Sequence, residues 1–234
     1  MDYSTSDYDR VPDLETTLEF DLNPDPRTPC VLVLDTSGSM GGGPLAVLNA
    51  GLQIFQQELR ADPLARRRVE VAVVTFGGTV RVLQDFVSAE QFVAPTLAAS
   101  GGTPLGEAVE RALDRVGLRK HVYQEHGVPY TRPWVFLMTD GQPTDAWEAA
   151  AARVQRASAA KQVALYAVGV QGADLGTLAR FAVAERPPLA LAGLKFRELF
   201  VWLSRSLGQV SQSKAGQQAA LPSPGTWAAG WTTA

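Results

Sequence analysis

Apolar residues fall into two kinds of run along this chain. Cys30-Val31-Leu32-Val33-Leu34 and Trp134-Val135-Phe136-Leu137-Met138 are continuous, and each closes on a carboxylate, Asp35 and Asp140. Unbroken apolarity predicts strands covered on both faces, as in a parallel sheet. Val163 to Val170 repeats the pattern, and Leu189-Ala190-Leu191 after Pro187-Pro188 is a brief further strand. Between these runs the period changes to three or four. Leu45, Leu48, Leu52, Phe55 and Leu59 mark one helix, and Leu105, Val109, Ala112 and Val116 a second. An alanine-rich helix ends near Lys161, with Asp145 and Glu148 at the spacing of a capping box that opens it. Ala173 to Phe181 reads as a short helix, and Leu194, Leu199, Val201, Trp202 and Leu207 belong to the last.

Two segments depart from strict alternation of strand and helix. Val69 to Phe76 and Thr79 to Phe86 are strands separated by Gly77-Gly78, so the second must run antiparallel to the first. Leu18, Phe20 and Leu22 alternate with polar residues, the signature of a half-exposed edge strand that Asn23-Pro24-Asp25-Pro26 stops. The expected fold is therefore a three-layer, doubly wound α/β/α sandwich, with a mostly parallel sheet and one antiparallel edge strand. It occupies residues 15–210, between an acidic, flexible tail (1–14) and a Ser/Gln/Pro/Gly-rich tail (211–234). Trp227 and Trp231 in that second tail either dock on the domain or anchor a partner.

The bulk numbers narrow the function. The 234 residues are 46% hydrophobic and 19% charged, enough for one substantial core. A formal charge of -3 gives no electrostatic reason to expect nucleic acid or an anionic membrane. Cys30 is the only cysteine, which excludes an internal disulfide and a thiolate metal cluster and reads as a small buried hydrophobe. The acidic N-terminus lacks the basic and apolar regions of a secretory signal, and no apolar run approaches the roughly 20 residues of a membrane span. The cytoplasm is the expected location. Arg66-Arg67-Arg68 reads as a solvated turn, and His121 and His126 as exposed residues of a polar loop between Lys120 and Arg132.

The candidate chemistry sits where two strands end in aspartate. In a doubly wound sheet, ligands gather at the carboxyl ends of the parallel strands, where strand order reverses. Asp35 and Asp140 emerge at one edge if their strands are neighbours. Ser37 and Ser39 occupy alternate positions in the loop after the first, and Thr103 follows two glycines at the start of a helix. Two carboxylates, three hydroxyls and water make an all-oxygen cage, which suits Mg²⁺ or Mn²⁺ better than zinc, with Ca²⁺ behind them. Direct binding by the neutral hydroxyls leaves the cation Lewis acidic, so an open position would take an incoming carboxylate.

Asp35-Thr36-Ser37-Gly38-Ser39, Thr103 and Asp140-Gly141 resemble the metal-ion-dependent adhesion site (MIDAS) of von Willebrand factor A domains, and the likeness extends from about Pro29 to Val210. Three phrases are similar to the bacterial TerY-like, tellurium-resistance subgroup: residues 34–41, Ser100 to Gly106, and Phe136 to Asp145. The resemblance implies a cytoplasmic stress-response protein that binds a partner's Asp or Glu through the cation, beside a protein kinase or a metal-dependent phosphatase. A competing class is a Mg²⁺-dependent phosphotransferase or phosphatase with Asp35 as nucleophile. Such a site wants a second aspartate two residues on, where Ser37 stands, and a lysine that no candidate strand supplies. A serine-nucleophile elbow and a phosphate-binding P-loop are both missing from the sequence. The expectation is a binding module rather than an enzyme.

Overall fold

The computed structural model describes Phe20, residues 23–140, 142–170, 172–191 and 194–213, and the backbone of 232–233. Its strands are β1 (Thr28–Asp35), β2 (Val69–Gly77), β3 (Thr79–Ser88), β4 (Trp134–Thr139), β5 (Ala164–Gly169), β6 (Leu189–Ala190) and β7 (Thr232–Thr233). The main helices are α1 (Gly43–Ala61), α2 (Leu105–Glu125), α3 (Glu148–Ala159), α4 (Leu175–Phe181) and α5 (Phe196–Gln212). The sheet order is β3-β2-β1-β4-β5-β6-β7. From β2 through β6 all neighbours are parallel, and β3 pairs antiparallel with β2.

Side-chain parity divides the interior in two. Leu32, Leu34, Val71, Val73, Phe136 and Met138 face one way, into a core closed by α1 and α5. Val31, Val33, Ala72, Val74, Val135 and Leu137 face the other, under α2, α3 and α4. The middle of each central strand is therefore apolar on both faces, as Cys30 to Leu34 and Trp134 to Met138 show.

A third, smaller cluster closes the end of the sheet away from the carboxyl ends of β1 and β4. Glu70 on β2 is fully buried, and Arg27 beside it is 1% exposed. Arg27 Nε donates to Glu70 Oε1 at 3.0 Å, and Arg119 of α2 donates to both carboxylate oxygens at 2.7 and 2.8 Å. The Tyr123 hydroxyl also donates to Glu70. Burial and the adjoining carboxylate hold the Tyr123 phenol well above its usual range, so it stays protonated as a donor. The Phe20 ring lies under both guanidiniums, at 5.2 and 5.1 Å.

The expected mostly parallel sheet with an antiparallel edge strand is present, that strand being β3; at the opposite edge the two-residue β7 adds an antiparallel pairing with β6. The last helix runs to Gln212. Other expectations are corrected. Helix α2 extends to Glu125, so His121 lies on a helix and not in a loop; it stays exposed, 3.1 Å from Glu125. His126 ends that helix half-buried, with its ring 5.3 Å from Phe20, instead of standing in solvent. Asp145 does not cap the alanine-rich helix: α3 begins at Glu148 after Trp147, without a side-chain cap. Residues 1–14, the flanks of the expected strand at Leu18 and Leu22, Gly141, Trp227 and Trp231 lie outside the described residues.

Candidate metal centre

The order reversal falls between β1 and β4, which are adjacent and in parallel register from Cys30↔Trp134 to Leu34↔Met138. Asp35 and the Thr139-Asp140 pair consequently leave the sheet side by side. Asp35 is fully buried. Its Oδ1 accepts from the Ser37 backbone N–H at 2.8 Å, and its Oδ2 accepts from the Thr139 hydroxyl. Burial pushes the Asp35 carboxyl above the ordinary aspartate range, against the pull of the Ser37 and Thr139 hydrogen bonds, and the Asp140 charge adds to the rise.

After Asp35 the chain makes a 3-10 turn, Gly38–Met40. Met40 is fully buried in the α1/α5 core and pins the turn from beneath. The two serines are left facing each other, with Ser37 Oγ and Ser39 Oγ 3.0 Å apart. Ser39 Oγ donates in turn to Asp140 Oδ1 at 2.9 Å. Asp35, Ser37, Ser39 and Asp140 thus form one connected group drawn from two strand ends.

Thr103 belongs to a neighbouring loop that is bonded to the first. Gly38 N–H donates to Gly101 O at 2.9 Å, and Ser100 N–H donates to Thr36 O at 2.8 Å. The tip of the β2–β3 hairpin joins the same seam, with Gly78 N–H donating to Gly102 O at 2.8 Å. Gly101 has a positive φ of 65°, and a Cβ there would lie 2.4 Å from Gly78 Cα, so only glycine fits. Thr103 is 5% exposed. Its N–H donates to Thr144 Oγ1 at 3.0 Å, and its carbonyl accepts from Thr144 N–H at 2.9 Å and from Leu105 N–H at 2.8 Å. With its backbone engaged, the hydroxyl is the polar group Thr103 can offer to the site.

All five expected residues therefore lie on three linked loops at the carboxyl edge of the sheet, four of them in one direct hydrogen-bonded group. Thr139 and Thr144 carry no mark of a role in the sequence, and Asp145 turns to α2 instead of capping α3. The register would have pointed to Thr139, since it places that residue beside Asp35. Among the described residues, no three His, Cys, Asp or Glu side chains converge. What converges is hydroxyl groups with two carboxylates, the donor set of a hard cation. Among those residues, too, no helix is long and apolar enough to cross a membrane.

A sequence model of the von Willebrand factor type A domain matches residues 30–194. Among solved structures, the chain is similar to proximal thread matrix protein 1 from the mussel byssus, with a TM-score of 0.56 and 18% identity over 81% of this chain and 47% of that one. It is also similar to the pilus adhesin SpaC from Lactobacillus rhamnosus GG in its open conformation, with a TM-score of 0.66 and 14% identity over 79% of this chain and 30% of the other. Another structure of the mussel protein has a zinc-occupied MIDAS motif; it matches with a TM-score of 0.50 and 18% identity, over 79% of this chain and 48% of that one. The chain spans less than half the length of each of these proteins, and the likeness at such identities is one of fold. No curated protein matches the chain.

Proposed function

Because the chain belongs to the von Willebrand factor type A family, whose domains generally mediate protein–protein interaction, we propose that it is a metal-dependent interaction module. Ser37, Ser39 and Thr103 bind a divalent cation directly, Asp35 and Asp140 balance its charge and order its water, and an Asp or Glu of a partner protein completes the shell. The observation that carries this reading is the run of oxygens from Ser37 Oγ through Ser39 Oγ to Asp140 Oδ1, spaced at 3.0 and 2.9 Å. An all-oxygen set of neutral hydroxyls and carboxylates with retained water suits Mg²⁺, or Mn²⁺ by its like preference for oxygen. When bound, the cation supplies positive charge and a coordination position for the partner's carboxylate. The chain's own part is to hold the oxygens in place before it arrives.

The burial of Asp35 favours binding over catalysis. Both of its oxygens already accept hydrogen bonds, and neither faces solvent. A phosphoryl nucleophile needs an oxygen open to its substrate. The likeness of residues 34–41, 100–106 and 136–145 to TerY-like proteins supports a more specific setting: a bacterial, cytoplasmic tellurium-resistance or stress-response system, with a kinase or phosphatase as partner.

Calorimetric titration with Mn²⁺ tests the site. The Ser37→Ala, Ser39→Ala double variant should lose measurable affinity and keep its fold, and unchanged binding would sink the assignment. Capture of a host partner should be abolished by EDTA. Mg²⁺-dependent turnover of an aryl phosphate that disappears in Asp35→Asn would overturn the binding reading.

A further inference from the structure

Asp140 and the stretch 142–147 reach both other loops of the candidate centre, at Ser39 and at Thr103, and two residues of that stretch have no direct place among the candidate ligands. Thr144 grips Thr103 from both sides of the peptide: its hydroxyl accepts the Thr103 N–H at 3.0 Å, and its own N–H donates to the Thr103 carbonyl at 2.9 Å. A Cβ on Gly102 would lie 3.1 Å from Thr144 Oγ1 and 3.3 Å from its Cγ2, so the threonine packs down on the loop it holds. Asp145 continues the grip one turn further. Its carboxylate accepts from Gly106 N–H at 3.1 Å and from Glu107 N–H at 2.9 Å, at the start of α2. That helix follows Thr103 and Pro104 directly and has no side-chain cap at its own Pro104. A Cβ on Gly106 would meet Ala146 O at 2.6 Å, so the first turn of α2 lies flush against the segment. Asp140, at the other end of the same segment, holds Ser39.

The geometry points to Thr144 and Asp145 as positioning residues of the metal centre: they hold Thr103 in register with the Ser37–Ser39–Asp140 group, so that three loops present one preformed ligand set. The inference rests on the metal-binding reading given above. Groups that orient ligands without touching the metal typically contribute about ten- to a hundredfold in affinity. Thr144 acts here through a backbone, fixing where the Thr103 hydroxyl stands, and Asp145 fixes the helix that carries the loop onward.

Mn²⁺ titration of the full chain tests this with a double-mutant cycle. Thr144→Val keeps the side-chain shape and removes the acceptor, and should weaken Mn²⁺ binding about tenfold. Thr144→Ser restores the hydroxyl and should bring affinity to within about twofold of the unaltered chain. In a Thr103→Ala background, where the hydroxyl is already gone, Thr144→Val should weaken binding no further. Full loss persisting in that background would show that Thr144 acts through general stability, and would overturn the inference, as would unchanged affinity in Thr144→Val alone. If Val does not fold, Thr144→Ala enters the same cycle with the same expectations. An unaltered chain that binds no Mn²⁺ overturns the metal reading itself, whereas binding that ignores Thr144 overturns only the positioning role.

Discussion

Glu70→Gln replaces a carboxylate that two guanidiniums and a phenol share. The side chain keeps its size, so the consequence is electrostatic. Arg27 Nε and both donating nitrogens of Arg119 lie within 3.0 Å of the Glu70 oxygens, and Glu70 itself has no solvent exposure. Gln offers one acceptor oxygen in place of two charged ones, and turns an amide N–H₂ toward groups that are donors themselves. Removing one partner of a buried ion pair costs about 3–5 kcal/mol, most of it from the charge left behind in a medium that solvates it poorly. For a domain of this size, each kcal/mol lowers the melting temperature by roughly 2–4 °C, so the fall should be roughly 6–20 °C. Urea denaturation should give the same loss with an unchanged slope, because the exposed surface does not change. The cluster lies at the far end of β2 from the proposed metal site, so Mn²⁺ affinity should be untouched. A stability loss below about 1 kcal/mol would refute the reasoning, since that is the range of an exposed pair.

Two further outcomes concern the loops of the proposed metal site. Asp145→Ala removes both acceptors at the start of α2 and should cost about 1–2 kcal/mol by the usual value of an N-cap, read as a melting-temperature drop; no change would show that water replaces the carboxylate. Asp35 has a carboxyl raised by burial, so its charged form opposes folding. In EDTA its favourable contribution is complete below the ordinary aspartate value and fades as pH climbs through the raised native one. Asp35→Asn should therefore match or exceed the parent's melting temperature at neutral pH in EDTA, and lose the stabilisation that Mn²⁺ gives the parent. A marked fall in EDTA would contradict this.

Much of this architecture could be read from local pattern. Cys30 to Asp35 and Trp134 to Asp140 declare buried strands because parity sends alternate residues into two different cores, and both cores demand apolar side chains. Gly77-Gly78 declares the hairpin because a turn this tight needs a positive φ, which Gly78 adopts at 70°. The candidate ligands were legible for the same local reason: strand ends and the loops after them occur at recognisable places in sequence. What stayed hidden is whatever depends on neighbours in space. Asp145 and Glu148 have the spacing of a capping box, yet the carboxylate turns to a helix that begins forty residues earlier. The last turns of α2 read as loop because the residues from Lys120 onward look like solvated polarity, although Tyr123 among them reaches inward to Glu70. Glu70 itself is one acidic residue in an apolar strand, and nothing nearby in sequence announces Arg27 or Tyr123 as its partners. The two-residue β7 is too short to have a period at all.

The placement of β1 has a mechanical side. It is bonded along its length to β2 on one flank and to β4 on the other, both parallel, and the Ser37–Ser39 turn leaves from its carboxyl end. A tug applied at that turn runs along the strand axis. It loads both hydrogen-bond ladders in shear, so their bonds must yield together, whereas a pull across the sheet would open them one at a time. A strand clasped in this way resists traction best along the direction in which its own terminal loop points.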